Sequence, residues 1–370
     1  MRVPVRIVGA VFLACAMAGC GPPEPAALRT GSPADALPPH VTQLLDAGLR
    51  PDWSHDGRRL LFLDDLVGDV FEVDLASRDV RGLTGHFDHA GFTRARYLAS
   101  GDLLLCGPEP AAASRAEEGR WHTALWFLGG DLTREAVPLD APCFEGPAVS
   151  RRSLRIAWTR SDYPDRVVFG RSEIWTGDIA VEGGEPRLVN RRKLLDRSDF
   201  FLRLAFLETQ DFRFPDEREL IFTAYAYRGG EVMGVDLETR EIRNYSRSWG
   251  YDEAEGVFPD GRFAAVEREP ETYTLVPQGH IDIWRTALDG SARTTRLTHF
   301  SELAGFGANN PVVSPDGRWM AFQLRDANGP HGNGQGIFLL DLRAVPVAPD
   351  GTPASGTGTA SMPRGSTSRE

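Results

Sequence analysis

Lysine is almost missing from this chain: of 41 basic residues, Lys193 alone is not an arginine. Acidic residues outnumber basic ones, 52 to 41, giving a formal charge of −11. Binding to nucleic acid rests on clustered cations that neutralise phosphates, so nucleic acid is not an expected partner. No apolar run reaches the roughly 20 residues a membrane-crossing helix needs; the longest candidate, residues 7–17, falls short. No Gly-x-Ser-x-Gly pattern supplies a strained nucleophile elbow, and there is no second domain to carry one. The glycine-rich run 329–336 is not followed by Lys-Ser/Thr, so it is no phosphate cradle.

What the chain does contain is one unit written six times. Its clearest copies are Ser314-Pro315-Asp316-Gly317 followed by an apolar run at 319–324, and Phe258-Pro259-Asp260-Gly261 followed by 263–266. Pro sets the first turn position, Asp accepts neighbouring amides, and Gly takes the positive φ that rejoins the next strand. Counterparts are Ser54-His55-Asp56-Gly57, Leu98-Ala99-Ser100-Gly101, Ser150-Arg151-Arg152-Ser153 and Phe214-Pro215-Asp216-Glu217. A third strand then ends in Asp with Leu or Ile, as in Val73-Asp74-Leu75, Val235-Asp236-Leu237 and Leu340-Asp341-Leu342. A fourth ends in a Leu-Thr pair, Leu83-Thr84 and Leu297-Thr298. A period of roughly 40 to 60 residues, each period a small sheet that cannot bury its face alone, predicts a ring or stacked array. The sixth unit lacks its fourth strand, while 41–45 stands before the first unit in that place. The predicted fold is therefore all-β: a six-bladed antiparallel β-propeller over 41–343, closed by the N-terminal strand.

The two ends read differently. Arg2 and Arg6, the apolar run, and Ala18-Gly19-Cys20 form an export signal over 1–19. Met17-Ala18-Gly19-Cys20 resembles the lipobox of bacterial lipoproteins, which implies lipidation of Cys20; Gly21, not Asp, implies the outer membrane, periplasmic side. Residues 20–40 hold six prolines and read as a tether, and 344–370 as a disordered tail. Cys106 and Cys143 then remain, and an oxidising compartment permits a disulfide between them; two separately buried thiols are the alternative.

Ser314-Pro315-Asp316-Gly317 with Ile337-Phe338-Leu339-Leu340-Asp341-Leu342, repeated across 41–343, resembles the TolB-type propeller repeat, a relative of WD repeats. The resemblance implies a scaffold for other envelope proteins, and with the lipobox the expectation is a lipid-anchored, monomeric envelope protein. It carries function only by analogy. Two departures are the lipobox and the lack of room for a separate N-terminal α/β domain.

Ligands of such folds meet one mouth of the channel, built from loops between second and third strands and between units. Candidate mouth residues are His86, His89, Trp249, Tyr251, Asp252, His299, Asn309, Asn310, Arg325 and His331. Aromatics beside carboxylates, as in Trp249-Gly250-Tyr251-Asp252, suit a protein or sugar contact. Histidines converging with a carboxylate would suit a metal-dependent enzyme or a binder of acidic sugars. His86 and His89 are the one close pair, and their spacing in a loop fixes no geometry. No catalytic residue, cofactor or metal ligand is therefore assigned.

Overall fold

The computed structural model describes residues 28–108, 119–166, 170–270, 279–327, 329 and 336–346. The signal 1–19, Cys20, most of the first half of the tether, His331 and the tail past 346 lie outside the described residues.

The first strand, β1 (Val41–Leu45), precedes β2 (Leu49–Trp53), β3 (Arg59–Leu63), β4 (Val70–Asp74) and β5 (Val80–Gly82). Next come β6 (Arg94–Tyr97), β7 (Leu103–Pro108), β8 (Thr123–Leu128) and β9 (Val137–Pro142), then β10 (Ala148–Val149), β11 (Arg155–Ser161), β12 (Ser172–Glu182) and β13 (Glu185–Asp196). The second half holds β14 (Phe206–Phe212), β15 (Glu219–Tyr225), β16 (Gly230–Asp236) and β17 (Ile242–Asn244), followed by β18 (Tyr251–Val257), β19 (Phe263–Glu269), β20 (Asp282–Ala287) and β21 (Thr294–Arg296). The last are β22 (Phe306–Val313), β23 (Trp319–Asp326) and β24 (Ile337–Asp341).

Consecutive strands pair antiparallel in meanders of four, except that β14 to β21 share one eight-stranded sheet. Its two meanders touch through a single parallel bridge between Gly230 and Tyr251. The last meander has β22, β23 and β24 in order, and β1 lies on its free edge, pairing Val41 with Leu340 and Thr42 with Leu339.

The strands form where apolar runs follow turns that fit them. In Ser54-His55-Asp56-Gly57, the Asp56 carboxylate accepts from Ser54 Oγ at 2.6 Å and from the Arg58 amide at 3.0 Å, and Gly57 takes φ 70°. Asp316 and Gly317 repeat this, with the same 2.6 and 3.0 Å contacts and φ 68°. Unit four puts Glu217 where glycine is expected, at φ 53°. Its buried carboxylate accepts from Ser150 Oγ at 2.5 Å and the Arg151 amide at 2.9 Å, clasping the turn of the unit before. A left-handed non-glycine costs about 1 kcal/mol, which the clasp offsets. Asp74 and Asp236 accept the amides two and three residues further on, at 2.8 to 3.0 Å, as the third-strand signature requires.

The Leu-Thr pair has a physical role that its sequence does not spell out. Thr84 Oγ1 accepts from the Val70 amide and donates to Asp69, while Thr298 Oγ1 accepts from Ile283 and donates to Asp282. Ser246 does the same with Val232 and Glu231. Each hydroxyl ties the fourth strand's end to the third strand's start.

Between meanders lie the apolar cores. Ile174 and Leu194 pack with Leu207, Phe212 and Phe222 across the third and fourth, and Phe322 and Phe338 stack at 5.7 Å in the last. Each such fully buried side chain contributes about 1.5–3 kcal/mol. Cys106 and Cys143 are disulfide-bonded, their Cα atoms 5.8 Å apart, tying β7 to the exit of β9. Lys193, on β13, is 41% exposed and holds Asp196 at 2.6 Å.

The described end of the tether differs from the expectation of an unfolded spacer. Pro33–Ala36 form a 3-10 turn with proline at its start and a Ser32–Asp35 capping box, and the Arg29 amide donates to Glu302 at 3.0 Å. Proline suits a first helical position, because its missing N–H would be unpaired there anyway. Leu37 and Val345 also pack on the last core, so the folded body extends a little past both expected limits.

Candidate functional site

In β2, β14, β18 and β22, each the first strand of its meander, pairing slips at Arg50–Pro51, Gln210, Glu255 and Asn310–Pro311. Such bulges add an unpaired residue and re-aim side chains. Arg50 and Asn310 take φ of 52° and 51°, and Glu145, just ahead of β10, takes 59°. Recurring at one level, the slips turn polar side chains inward.

They line a cavity of about 660 Å³ at the end where second strands turn into third strands and one meander leads to the next. One wall is acidic. Glu208, Glu253, Glu255 and Glu267 are all buried, and ligand oxygens of the last three lie within 4.8 Å of one another. Tyr225 Oη donates to Glu208 at 2.9 Å, Tyr251 Oη donates to Glu253, and Asn310 gives its amide and its side-chain NH₂ to Glu267 at 2.6 and 3.1 Å. Burial pushes Glu253 up to about 7, helped by the charge of Glu255. Glu208 and Glu267 rise well above the ordinary range, first through burial and then through the charge of Glu253.

The other side is basic, and it is neutralised by Glu145 and, through Arg94 at 3.9 Å, by Glu255 of the acidic wall. Glu145 receives Arg50 at 2.7 Å and Arg120 at 3.2 Å. Arg94 donates to the Glu145 carbonyl and the Asn310 side chain, each at 3.0 Å. Burial works to raise Glu145, but Arg50, Arg120 and Arg94 outweigh it and hold the carboxyl at about 2.

Six rings run in sequence around the cavity. Trp121 meets Tyr163 at 4.9 Å, Tyr163 meets Phe144 at 5.9 Å and Phe206 at 5.5 Å, and Tyr225 lies 6.0 Å from both Phe206 and Tyr251. A larger opening, about 970 Å³, lies at the opposite, hairpin-turn end among Arg155, Arg213, Asp216 and Asp260. It is an open polar groove whose charges are spent on neighbours, as Arg213 is on Glu219 at 2.8 Å.

Of the candidates from sequence, Tyr251, Asn309, Asn310 and Arg325 line the cavity. Among the described residues the candidate histidines do not converge. His86 Nε2 is 3.0 Å from the Arg134 carbonyl, His89 Nε2 is 3.1 Å from Asp69, and His299 Nδ1 is 2.9 Å from Glu302. Asp252 is fully buried against Arg268 at 3.1 Å, behind the wall and not in it. Trp249 is 59% exposed beneath the Arg228 guanidinium. Sequence reasoning reached Arg120, Glu253, Glu255 and Glu267 only as members of loop stretches without singling them out, and missed Glu145 and the strand residues Arg50, Arg94 and Glu208. The available signal was charge inside otherwise apolar strands, at matching distances before each turn.

No protein-family model matches the sequence, and no curated protein matches it. Among solved structures the chain is similar to XC5397, a gluconolactonase of Xanthomonas campestris, at 14% identity and TM-score 0.51, over 85% of this chain and 98% of that one. It is likewise similar to regucalcin, a calcium-binding protein of Agrobacterium tumefaciens, at 14% and 0.51, over 81% and 90%. TolB from Acinetobacter baumannii aligns at 12% and 0.48 over 80% of this chain and only 63% of that one, so the chain spans less than two thirds of this relative. The fold is a β-propeller. At these identities the likeness is one of fold alone.

Proposed function

We propose that this chain is a lipid-anchored binding scaffold of the bacterial envelope, its meanders forming a six-bladed ring closed by β1, and that it holds partner proteins at the mouth above the cavity. The observation that carries the reading is the build of that mouth. Exposed apolar side chains, Phe201 at 82%, Trp249 at 59% and Leu204 at 39%, stand on connections leading into a well with an aromatic arc. Aromatic anchors over a desolvated pocket are what protein contacts use. Photo-crosslinking in cells from position 249 should capture an envelope protein, and Phe201→Ala should abolish the capture; capture that persists unchanged would count against the mouth. Cys20→Ser should release the protein from membranes, and continued association would count against the anchor.

A second reading, a small-ligand or metal-dependent protein, draws on Glu253, Glu255 and Glu267. Clustered carboxylate oxygens suit a hard divalent cation, and regucalcin, similar in fold, is a calcium-binding protein. An acidic sugar fits poorly, since the cavity guanidiniums are committed to Glu145, Glu255, Asn310 and the Gly279 carbonyl.

A further inference from the structure

Resting on the reading of the mouth as a binding surface, we propose that the cavity receives an organic cation, a protonated amine on an apolar stem, brought as a lysine side chain of a partner segment or as a free alkyl diamine. Three features of the cavity converge on this chemistry.

Its size comes first. About 660 Å³ falls within the range of sites that engulf a small organic group, and far exceeds what one ion fills. The wall composition comes second. A hard metal ion gains nothing from the arc of Trp121, Tyr163, Phe144, Phe206, Tyr225 and Tyr251, whereas an alkylammonium gains from ring faces along its stem and from carboxylates at its head. Charge comes third. Arg50 and Arg120 are bound to Glu145, and Arg94 reaches Glu255 at 3.9 Å, so of these three guanidiniums one alone compensates the acidic wall. Glu208, Glu253, Glu255 and Glu267 crowd the other wall with tyrosine hydroxyls and Asn310 as partners.

The empty wall relieves its own repulsion by holding protons. Glu253 sits near neutrality and Glu208 and Glu267 above their usual range, chiefly because they are buried. An arriving ammonium favours the ionised wall. A carboxyl O–H bond then breaks, the proton leaves to buffer, and the N–H groups of the ammonium take its place as donors. Binding and proton release are therefore linked.

The test is calorimetry on the full mature chain at pH 6.5 with four probes: 1,5-diaminopentane, a pentapeptide with one lysine between glycines, its norleucine counterpart, and calcium chloride. The expected result is saturable binding of the diamine or the lysine peptide, at least about 10-fold tighter than norleucine, with a heat that varies with the buffer's ionisation enthalpy. Binding of the diamine alone assigns a free amine, and binding of the peptide alone assigns a partner segment; both support the shared chemistry. Glu253→Gln should weaken binding at least about 10-fold, while His86→Ala, outside the cavity, should leave it unchanged. Should Glu253→Gln fail to fold by circular dichroism, Glu255→Gln serves the same purpose, and quenching of Trp121 fluorescence in the unaltered chain gives an independent readout. Calcium binding that the amines cannot displace, or no binding of either amine, overturns the proposal. If the amines fail while capture from position 249 persists, this inference falls and the scaffold reading stands; the converse outcome separates them the other way.

Discussion

Glu253 carries the most consequential shift in the molecule, from an ordinary 4.5 up to about 7, through burial and then the charge of Glu255. Between those values the folded chain keeps a proton that the unfolded chain has given up. Its contribution is fully present below about 4.5 and is lost as pH rises through about 7. Glu208 and Glu267 are raised for the same reasons and act in the same direction. Glu145, held at about 2, acts oppositely, its contribution present above 4.5 and lost as pH falls through 2. Denaturant unfolding should therefore show greater stability at pH 5 than at pH 8, and Glu253→Gln should flatten that slope; an unchanged slope would remove the residue from the account. At this scale the sequence was least readable. A glutamate in an apolar strand looks the same whether it faces a channel or a neighbouring sheet, and only the bulges at Gln210 and Glu255 decide which.

Elements were much easier to read, because turn chemistry is local. Ser-Pro-Asp-Gly writes out its own φ values, and Gly57, Gly261 and Gly317 adopt φ of 66° to 70°. Where the pattern decays, the reason is non-local: Glu217 gives up glycine's freedom to reach Ser150 and Arg151 one meander away. Glu217→Ala keeps the left-handed backbone and loses both contacts, so it should cost about 1–3 kcal/mol in equilibrium unfolding. Thr298→Val keeps the shape but strands the Ile283 amide and removes a donor from buried Asp282; a loss of about 1–3 kcal/mol is expected. A change below a few tenths in either would mean that the clasps are ornamental. Of the residues read from the mouth, Tyr251, Asn309, Asn310 and Arg325 line the cavity, while His86, His89 and His299 bond nearby backbone or carboxylates.

For the whole molecule, periodicity alone announced repeated antiparallel sheets, and the missing fourth strand of the last unit announced the partner found in β1. Removing residues 20–45 should bare the edge of β24 and promote aggregation in size-exclusion chromatography; an unchanged elution profile would argue against closure by that strand. Reducing the Cys106–Cys143 bond, which spans 37 residues, should cost about 3–4 kcal/mol, seen as a lower unfolding midpoint. The solitary Lys193 has a practical corollary. Apart from the chain terminus, one ammonium group, on β13 and partly engaged by Asp196, is the sole amine that ester reagents can address. A fluorophore attached there marks every copy at a single known point on a strand outside the cavity lining. Conventional lysine-bridging reagents, by the same token, would be nearly blind to whatever complex this chain forms.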